Sequence, residues 1–151
     1  MNHKPRVLFF STGDSTRSQI AEGFLRTFAG HELEAVSTAT RSGEADPLAR
    51  EVMQEVGIDI SGQHAKEVAE SLREHFSYVV TVCDSSREKF PVWPFAHNIL
   101  HWSLIDPEQA QGSTERRREG FRRVRDEIGW KVRDFLGQIH ESQLAASGGI
   151  R

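Results

Sequence analysis

The feature that most constrains this chain is an apolar run that leads directly into a polar, glycine-containing segment. Val7-Leu8-Phe9-Phe10 is typical of a short strand buried on both faces of a parallel sheet. A polar segment follows at residues 11–18, and residues 17–29 have a helical pattern. Such a loop turns backbone N–H groups inward and ends at a helix N-terminus, which favours a bound oxyanion. An ordinary strand-to-helix turn with an N-capping serine is the alternative that this pattern leaves open.

Side chains in the segment strengthen the anion-binding interpretation. Arg17 supplies a planar fork of donors that suits a tetrahedral anion, and Gly13 permits close approach of the backbone. A surface position is the commoner fate of an arginine, and a helix cap is the alternative role of Ser18. The predicted anion-binding residues are Ser11, Thr12, Gly13, Asp14, Ser15, Thr16, Arg17 and Ser18.

Length and composition predict one domain spanning residues 1–151, with an ordered core at about 6–139 and a flexible C-terminal tail. No stretch is long enough to span a membrane and no apolar signal core begins the chain, so we expect a cytoplasmic protein without a membrane partner. The formal net charge of −3 argues against a nucleic-acid partner. The arginine run at 116–118 is interleaved with acids and predicts a solvated helix face.

Apolar periodicity predicts alternating strands and helices. Strands are predicted at residues 6–10, 33–38, 78–82 and 98–102, and helical segments at residues 17–29, 47–56, 61–72 and 113–139. This alternation implies right-handed crossovers and an α/β fold, a three-layer α/β/α arrangement with a four-stranded parallel sheet. Ligands in such sheets bind beyond the carboxyl ends of the strands. The segments 11–18, 83–90 and 101–107 should therefore converge.

The residues at 10–24, Phe-Ser-Thr-Gly-Asp-Ser-Thr-Arg-Ser-Gln-Ile-Ala-Glu-Gly-Phe, closely resemble the phosphate loop of low-molecular-weight protein tyrosine phosphatases. Within that superfamily the chain is most similar to the thiol-dependent arsenate reductases. Their loop runs Cys-x5-Arg-Ser with the cysteine as nucleophile, and Ser11 stands at that position here. The resemblance covers roughly residues 6–139. It is most specific at residues 11–18, 81–94 and 101–106 and in the helix around 123–128.

The resemblance implies three catalytic positions. Ser11 takes the place of the nucleophile, Arg17 clamps the anion, and Asp106 of an Asp-Pro pair protonates the leaving group. A plain turn is the alternative role of Asp106. A cysteine in such a loop becomes a thiolate at neutral pH, whereas a serine needs an adjacent base, and no histidine is placed by the sequence to serve. We therefore expect binding of phosphate, arsenate or a sulfate-like oxyanion, with catalysis lost or strongly impaired.

Cys83 is the single cysteine of the chain. By resemblance, Cys83 and Phe90 occupy the positions of the resolving cysteine pair in thioredoxin-coupled relatives. That route needs three thiols, so a redox role for Cys83 is doubtful and a thioredoxin-type reductant is not expected. A small buried hydrophobic residue is the commoner role of a lone cysteine.

The resemblance also concerns a cation position. Glu22 and Ser37 lie where some arsenate reductases bind potassium, and Lys66 stands where an acidic partner is expected. We therefore expect the ammonium group of Lys66 to replace the metal, with simple surface solvation of Lys66 as the alternative. The seven histidines lack metal-ligand spacing, and neither a metal nor a cofactor is predicted.

Two origins are compatible with Ser11: natural divergence, or an engineered Cys-to-Ser trap of an active phosphatase or reductase. Asp14, where relatives carry asparagine, and Phe90 also depart from the reductase pattern, which favours natural divergence. The functional alternatives are an impaired enzyme of this family and a non-catalytic oxyanion-sensing or partner-binding module.

Overall fold

The computed structural model of the chain describes residues 4–13, 15–41, 43–84, 93 and 96–148. Asp14 and Phe90, both discussed above, lie outside the described residues. The elements are β1 (Arg6–Ser11), α1 (Thr16–Ala29), β2 (Glu34–Ala39), α2 (Pro47–Glu55), β3 (Lys66–Glu67), α3 (Val68–Ser71), β4 (Phe76–Cys83), β5 (Ala96–Ser103), a 3₁₀ helix (Pro107–Gln109) and α4 (Thr114–Gly148). None of the helices among these residues combines the length and apolar content that a membrane crossing requires.

The sheet is parallel throughout and has the order β3-β2-β1-β4-β5. β1 lies at its centre, and the side chains of Val7 to Phe10 are fully buried, as the apolar run predicts. Because all strands run the same way, the segments that follow β1, β4 and β5 leave the sheet at one edge. The three-layer α/β/α fold is confirmed, and it brings the segment after β1 and the segment after β5 together, since Arg17 donates to the Leu104 carbonyl. Residues 85–90 of the third segment predicted to converge lie outside the described residues.

The predicted count of four strands is wrong, because the sheet has five. The additional strand, β3, consists of Lys66 and Glu67, whose backbones pair with Thr38 and Ala39 of β2. Both β3 side chains are exposed and charged, so the sequence carries no apolar signal for this edge strand. The helix predicted over residues 61–72 is likewise reduced to the four residues of α3.

Helix α4 extends beyond the end predicted at residue 139. Up to residue 144, where the description of its side chains ends, Ile139 is the last buried apolar side chain of the helix, and residues 140–144 are exposed. The backbone continues in helical form to Gly148, with His140 Nε2 lying 3.0 Å from Glu32 Oε2. Helix propagation needs only local hydrogen bonds, so a helix can outlast the apolar stripe that anchors it.

The two faces of the sheet have separate apolar cores. α1, α2 and α4 pack together on one face, where Phe9 contacts the ring of Trp102. The other face is covered by α3 and by Trp93, which packs edge-on against Phe10 with a centroid distance of 5.0 Å. Trp93 and Trp102 are 3% and 8% exposed, so both belong to the core.

Candidate active site

The segment between β1 and α1 is braced against the connection between β2 and α2. Gly13 has a φ of +66°, which favours glycine, and its N–H donates to Thr40 Oγ1 at 2.6 Å. The backbone N–H of Arg41 in turn donates to the Gly13 carbonyl at 3.1 Å. Gly13 therefore allows the turn through its positive φ, while its N–H is taken up by a hydrogen bond to the loop between β2 and α2.

Helix α1 begins without a capping bond from its own N-cap residue. The Ser15 side chain makes no cap hydrogen bond; it accepts from Gln19 Nε2 at 2.7 Å and donates to the Gly43 carbonyl at 3.4 Å. The first turn of α1 contains no acidic residue. The N–H groups of a first helical turn have no acceptor within the helix, and the helix dipole is positive there. This helix end is therefore suited to an anion.

Ser11 ends β1 with a fully buried side chain. Its hydroxyl donates to Ser18 Oγ at 2.9 Å, and Ser18 Oγ donates to the Ser15 carbonyl at 2.9 Å. The structure thus brings Ser11 and Ser18 together, as the resemblance implies. A peptide carbonyl is not a base, so this path from Ser11 offers no group that takes its proton.

Arg17 is the largest fully buried side chain among the residues that the structure describes, with 1% exposure. Its Nη1 donates to the Leu104 carbonyl at 3.0 Å, and its Nη2 donates to the Thr12 carbonyl at 3.4 Å. Nη2 also lies 3.8 Å from Asp106 Oδ2. A buried guanidinium requires such polar partners. Its position between the loop and Asp106 joins two of the predicted catalytic positions, which are 89 residues apart in the chain.

Asp106 has one carboxylate oxygen in a turn and the other towards Arg17. Oδ1 accepts from the Glu108 N–H at 2.9 Å and caps the 3₁₀ helix, while Oδ2 is the atom near Arg17. The side chain is 19% exposed. The two roles considered for this residue, a turn start and a site acid, are therefore geometrically compatible.

Glu108 is a site residue that sequence reasoning missed. The Thr16 hydroxyl donates to Glu108 Oε1, and the same hydroxyl accepts from the Asp46 N–H at 3.2 Å. Thr16 begins α1 and is 1% exposed. A glutamate directly after an Asp-Pro pair carries no local signal for this contact, which only the tertiary structure creates.

Cys83 lies at the end of β4 and is fully buried beside Phe10 and Trp93. Its Sγ atom is 3.9 Å from the Phe10 carbonyl oxygen. This environment matches the small buried hydrophobic residue considered above. A thiol so enclosed is poorly placed for exchange with another protein, because such exchange requires access to the sulfur.

Of the two roles considered for Lys66, the structure favours surface solvation, and Glu22 is paired with Arg26. Glu22 is 5% exposed; its Oε1 accepts from Ser37 Oγ at 2.5 Å, and its Oε2 contacts the Arg26 guanidinium. Arg26 Nη1 also donates to Gln63 Oε1 at 2.8 Å. Lys66 lies on β3 with an exposed side chain. The available signal was the i,i+4 spacing of Glu22 and Arg26 on α1, which brings the two side chains together.

The architecture defines a class of protein. A central parallel strand leads into a braced loop and an uncapped helix, and a buried arginine joins that loop to an Asp-Pro turn. A family model described as low molecular weight phosphotyrosine protein phosphatase matches residues 6–145. The chain belongs to this family, and at the position of the family's nucleophilic cysteine it carries Ser11.

Within the family the chain is similar to arsenate reductases. It is 36% identical to the arsenate reductase of Halalkalibacterium halodurans over 133 residues, which is 88% of this chain and 96% of that protein. A solved arsenate reductase in the phosphate binding state superposes with a TM-score of 0.75 at 29% identity, covering 89% of this chain and 98% of that one. The thioredoxin-dependent arsenate reductase of Corynebacterium glutamicum has a TM-score of 0.67 at 26% identity, covering 92% and 63%.

Proposed function

We propose that this chain binds a tetrahedral oxyanion, phosphate or arsenate, in the loop between β1 and α1, and that Ser11 leaves catalysis lost or strongly impaired. The observation that carries the proposal is the position of Arg17, buried between the loop and Asp106 at the uncapped start of α1. A guanidinium fork and helix N–H groups directed at one region are the usual means of holding phosphate. A similar arsenate reductase is described in a phosphate binding state, which supports the same ligand here.

The expected loss of turnover follows from the chemistry of Ser11. The positive field of the loop ionises a cysteine thiol, but the pKa of a serine hydroxyl lies too far above neutral pH for the same field. A serine nucleophile needs a neighbouring base, and the Ser18 hydroxyl that accepts from Ser11 is not one. The anion would bind next to an uncharged hydroxyl, without repulsion from a resident thiolate.

We also propose that no thioredoxin-type reductant acts on this chain. The relatives give this part no support, because one of them is described as thioredoxin-dependent. It rests on the thiol count: Cys83 is the single cysteine, and its side chain is fully buried. Coupled oxidation of NADPH by thioredoxin reductase and thioredoxin, measured with arsenate, should stay at background. Arsenate-dependent oxidation above background would contradict this part of the proposal.

Titration calorimetry with phosphate, arsenate and sulfate tests the binding. We expect the Arg17→Ala variant to bind these anions about 10- to 100-fold more weakly, because hydrogen bonds to a charged group are lost. Arg17→Lys should bind at an intermediate level, since it keeps the charge and loses the fork. Circular dichroism spectra should show that both variants remain folded. Anion binding that is independent of Arg17 would overturn the proposal.

Hydrolysis of p-nitrophenyl phosphate tests the catalytic part. The unmodified chain should be no faster than Ser11→Ala, whereas Ser11→Cys should gain at least about 10³-fold, since loss of a nucleophile costs several orders of magnitude in kcat. Adding Arg17→Ala to Ser11→Cys should remove the gain. Robust turnover by the unmodified chain would contradict the proposal.

A further inference from the structure

We propose that Glu108 is a positioning residue, whose contact with Thr16 holds the Asp106 turn against the start of α1 without the help of Arg17. The inference deepens the proposed function and rests on it in one respect, the role of Asp106 as proton donor to a leaving group. It concerns a contact between segments that are 92 residues apart in the chain.

The Asp106 turn meets the start of α1 through two neighbouring side chains of that helix. Arg17 contacts the Leu104 carbonyl and approaches Asp106 Oδ2 to 3.8 Å. Thr16 donates its hydroxyl hydrogen to the Glu108 carboxylate. Both α1 side chains are 1% exposed, whereas Asp106 and Glu108 are partly exposed, so these contacts lie at the edge of the core.

An anion in the loop would affect these two contacts differently. The guanidinium of Arg17 is the group that a bound phosphate would engage, so its bonds to the turn compete with the ligand. The Thr16 hydroxyl and the Glu108 carboxylate form a bond with each other that does not require the guanidinium. The Glu108 contact can therefore keep the turn in place while Arg17 reorients towards the anion.

Glu108 is linked to Asp106 as directly as it is to α1. Its backbone N–H donates to Asp106 Oδ1 at 2.9 Å, while its side chain receives the Thr16 hydroxyl. Glu108 thus holds Asp106 Oδ1 through its backbone and contacts α1 through its side chain. Asp106 Oδ2 remains on the side of Arg17. A carboxylate near a helix N-terminus is also favoured by the helix dipole.

Thr16 is itself held in place by a third segment. Its hydroxyl oxygen accepts the backbone N–H of Asp46 at 3.2 Å, and Asp46 caps α2 by accepting from the Leu48 N–H at 2.8 Å. With this acceptance fixed, the hydroxyl hydrogen is directed to Glu108. The Thr16–Glu108 contact is therefore connected to the start of α2 as well as to α1.

Amide hydrogen exchange on the chain with Ser11 tests the contact itself. In Glu108→Ala and in Thr16→Val, the amides of residues 108–110 should exchange roughly tenfold faster or more, because a hydrogen bond to a charged group is lost. Glu108→Gln and Thr16→Ser keep an acceptor and a donor, so they should exchange like the parent. Glu70→Ala removes an exposed carboxylate on α3 and serves as the charge control. Unchanged exchange in both Glu108→Ala and Thr16→Val would overturn the proposal.

A leaving-group comparison in the Ser11→Cys background tests the positioning role. Phenyl phosphate needs protonation of its leaving group far more than p-nitrophenyl phosphate does. Glu108→Ala should therefore lower kcat for phenyl phosphate at least about tenfold more than kcat for p-nitrophenyl phosphate, in the same direction as Asp106→Asn, and Glu108→Gln should restore it. An equal loss for both substrates would indicate general loosening and overturn the positioning role.

The two proposals can fail separately. If Ser11→Cys has no turnover, the catalytic part of the proposed function is wrong, and the exchange of the amides of residues 108–110 alone decides whether Glu108 holds the turn. If Ser11→Cys is active and Glu108→Ala leaves both the exchange and the leaving-group preference unchanged, only the role of Glu108 is wrong.

Discussion

At the scale of single residues, the position of Ser11 separates two properties that such a loop normally combines. Anion binding depends on N–H groups, the helix end and Arg17, whereas turnover depends on the pKa of one nucleophile. The helix end and Arg17 lie beside a fully buried Ser11. Under the proposed function, the exchange of sulfur for oxygen at this one position removes the reaction and leaves the anion-binding framework in place.

In the structure the Glu22 carboxylate is paired with Arg26 while Lys66 is exposed, and this pairing yields a direct test. Removing its guanidinium leaves the Glu22 carboxylate buried with fewer partners, so Arg26→Ala should lower the free energy of unfolding by about 1–3 kcal/mol. Lys66→Ala should change it by no more than about 0.5 kcal/mol, because Lys66 is an exposed surface residue. Urea unfolding measures both values. A larger effect at Lys66 than at Arg26 would contradict the assignment.

At the scale of elements, α1 depends on a close approach to the segment that follows α2. Gly23 lies on the buried face of α1, and a Cβ atom placed there would be 2.7 Å from Cγ2 of Ile60. Ile60 is 1% exposed, so it has little room to move. This approach sets the position of the helix whose first turn forms the candidate site.

A pair of glycine substitutions tests this packing. Gly23→Ala should destabilise the fold by about 1–3 kcal/mol, because the core around Ile60 would be overpacked. Gly137→Ala is the matched control: it lies in α4 with open space around its Cβ position, and it should stabilise by up to about 1 kcal/mol. Thermal unfolding followed by circular dichroism compares the two. Equal effects of the two substitutions would show that the approach of α1 is not tight.

At the scale of the whole molecule, α2 and α4 are joined by a network of ion pairs. Arg122 and Arg125 both contact Glu55, and Arg118 contacts Glu51 at 3.0 Å. These three arginines of α4 thus pair with carboxylates of α2, and each also pairs with a carboxylate of α4 itself. Hydrogen bonds from Arg122, and then from Arg125, lower the pKa of Glu55 from 4.5 to about 2.

This lowered pKa predicts an acid-dependent loss of stability. Glu55 has a lower pKa in the folded state than in the unfolded state, so its contribution is full above about pH 4.5 and declines as the pH falls towards 2. Glu55→Gln should therefore lower the melting temperature at pH 7, with a difference from the parent that shrinks below pH 4.5. Added salt should also reduce the difference. Glu44→Gln, at an exposed pair with Arg50 of 3.9 Å, serves as the control. A difference that stays constant from pH 7 to pH 3 would contradict the assignment.

Much of the architecture could be predicted from the sequence, because its signals are local. Three of these signals each involve residues that are close together in the chain. They are the apolar run of β1, the apolar periodicity of α1 and α4, and the Asp46-Pro47 start of α2. The strands predicted at 6–10, 33–38, 78–82 and 98–102 lie within two residues of β1, β2, β4 and β5. β3 had no such signal, since its identity as a strand depends on pairing with β2.

The sequence by itself determined the strand, loop and helix of the candidate site and the presence of Ser11 at the nucleophile position, because order along the chain specifies them. Only the tertiary structure decided that the Gly13 amide is donated to Thr40 and that Glu108 receives the Thr16 hydroxyl. These two contacts join residues 27 and 92 positions apart. Chain folding brings such groups within hydrogen-bond distance, and no local pattern encodes that distance.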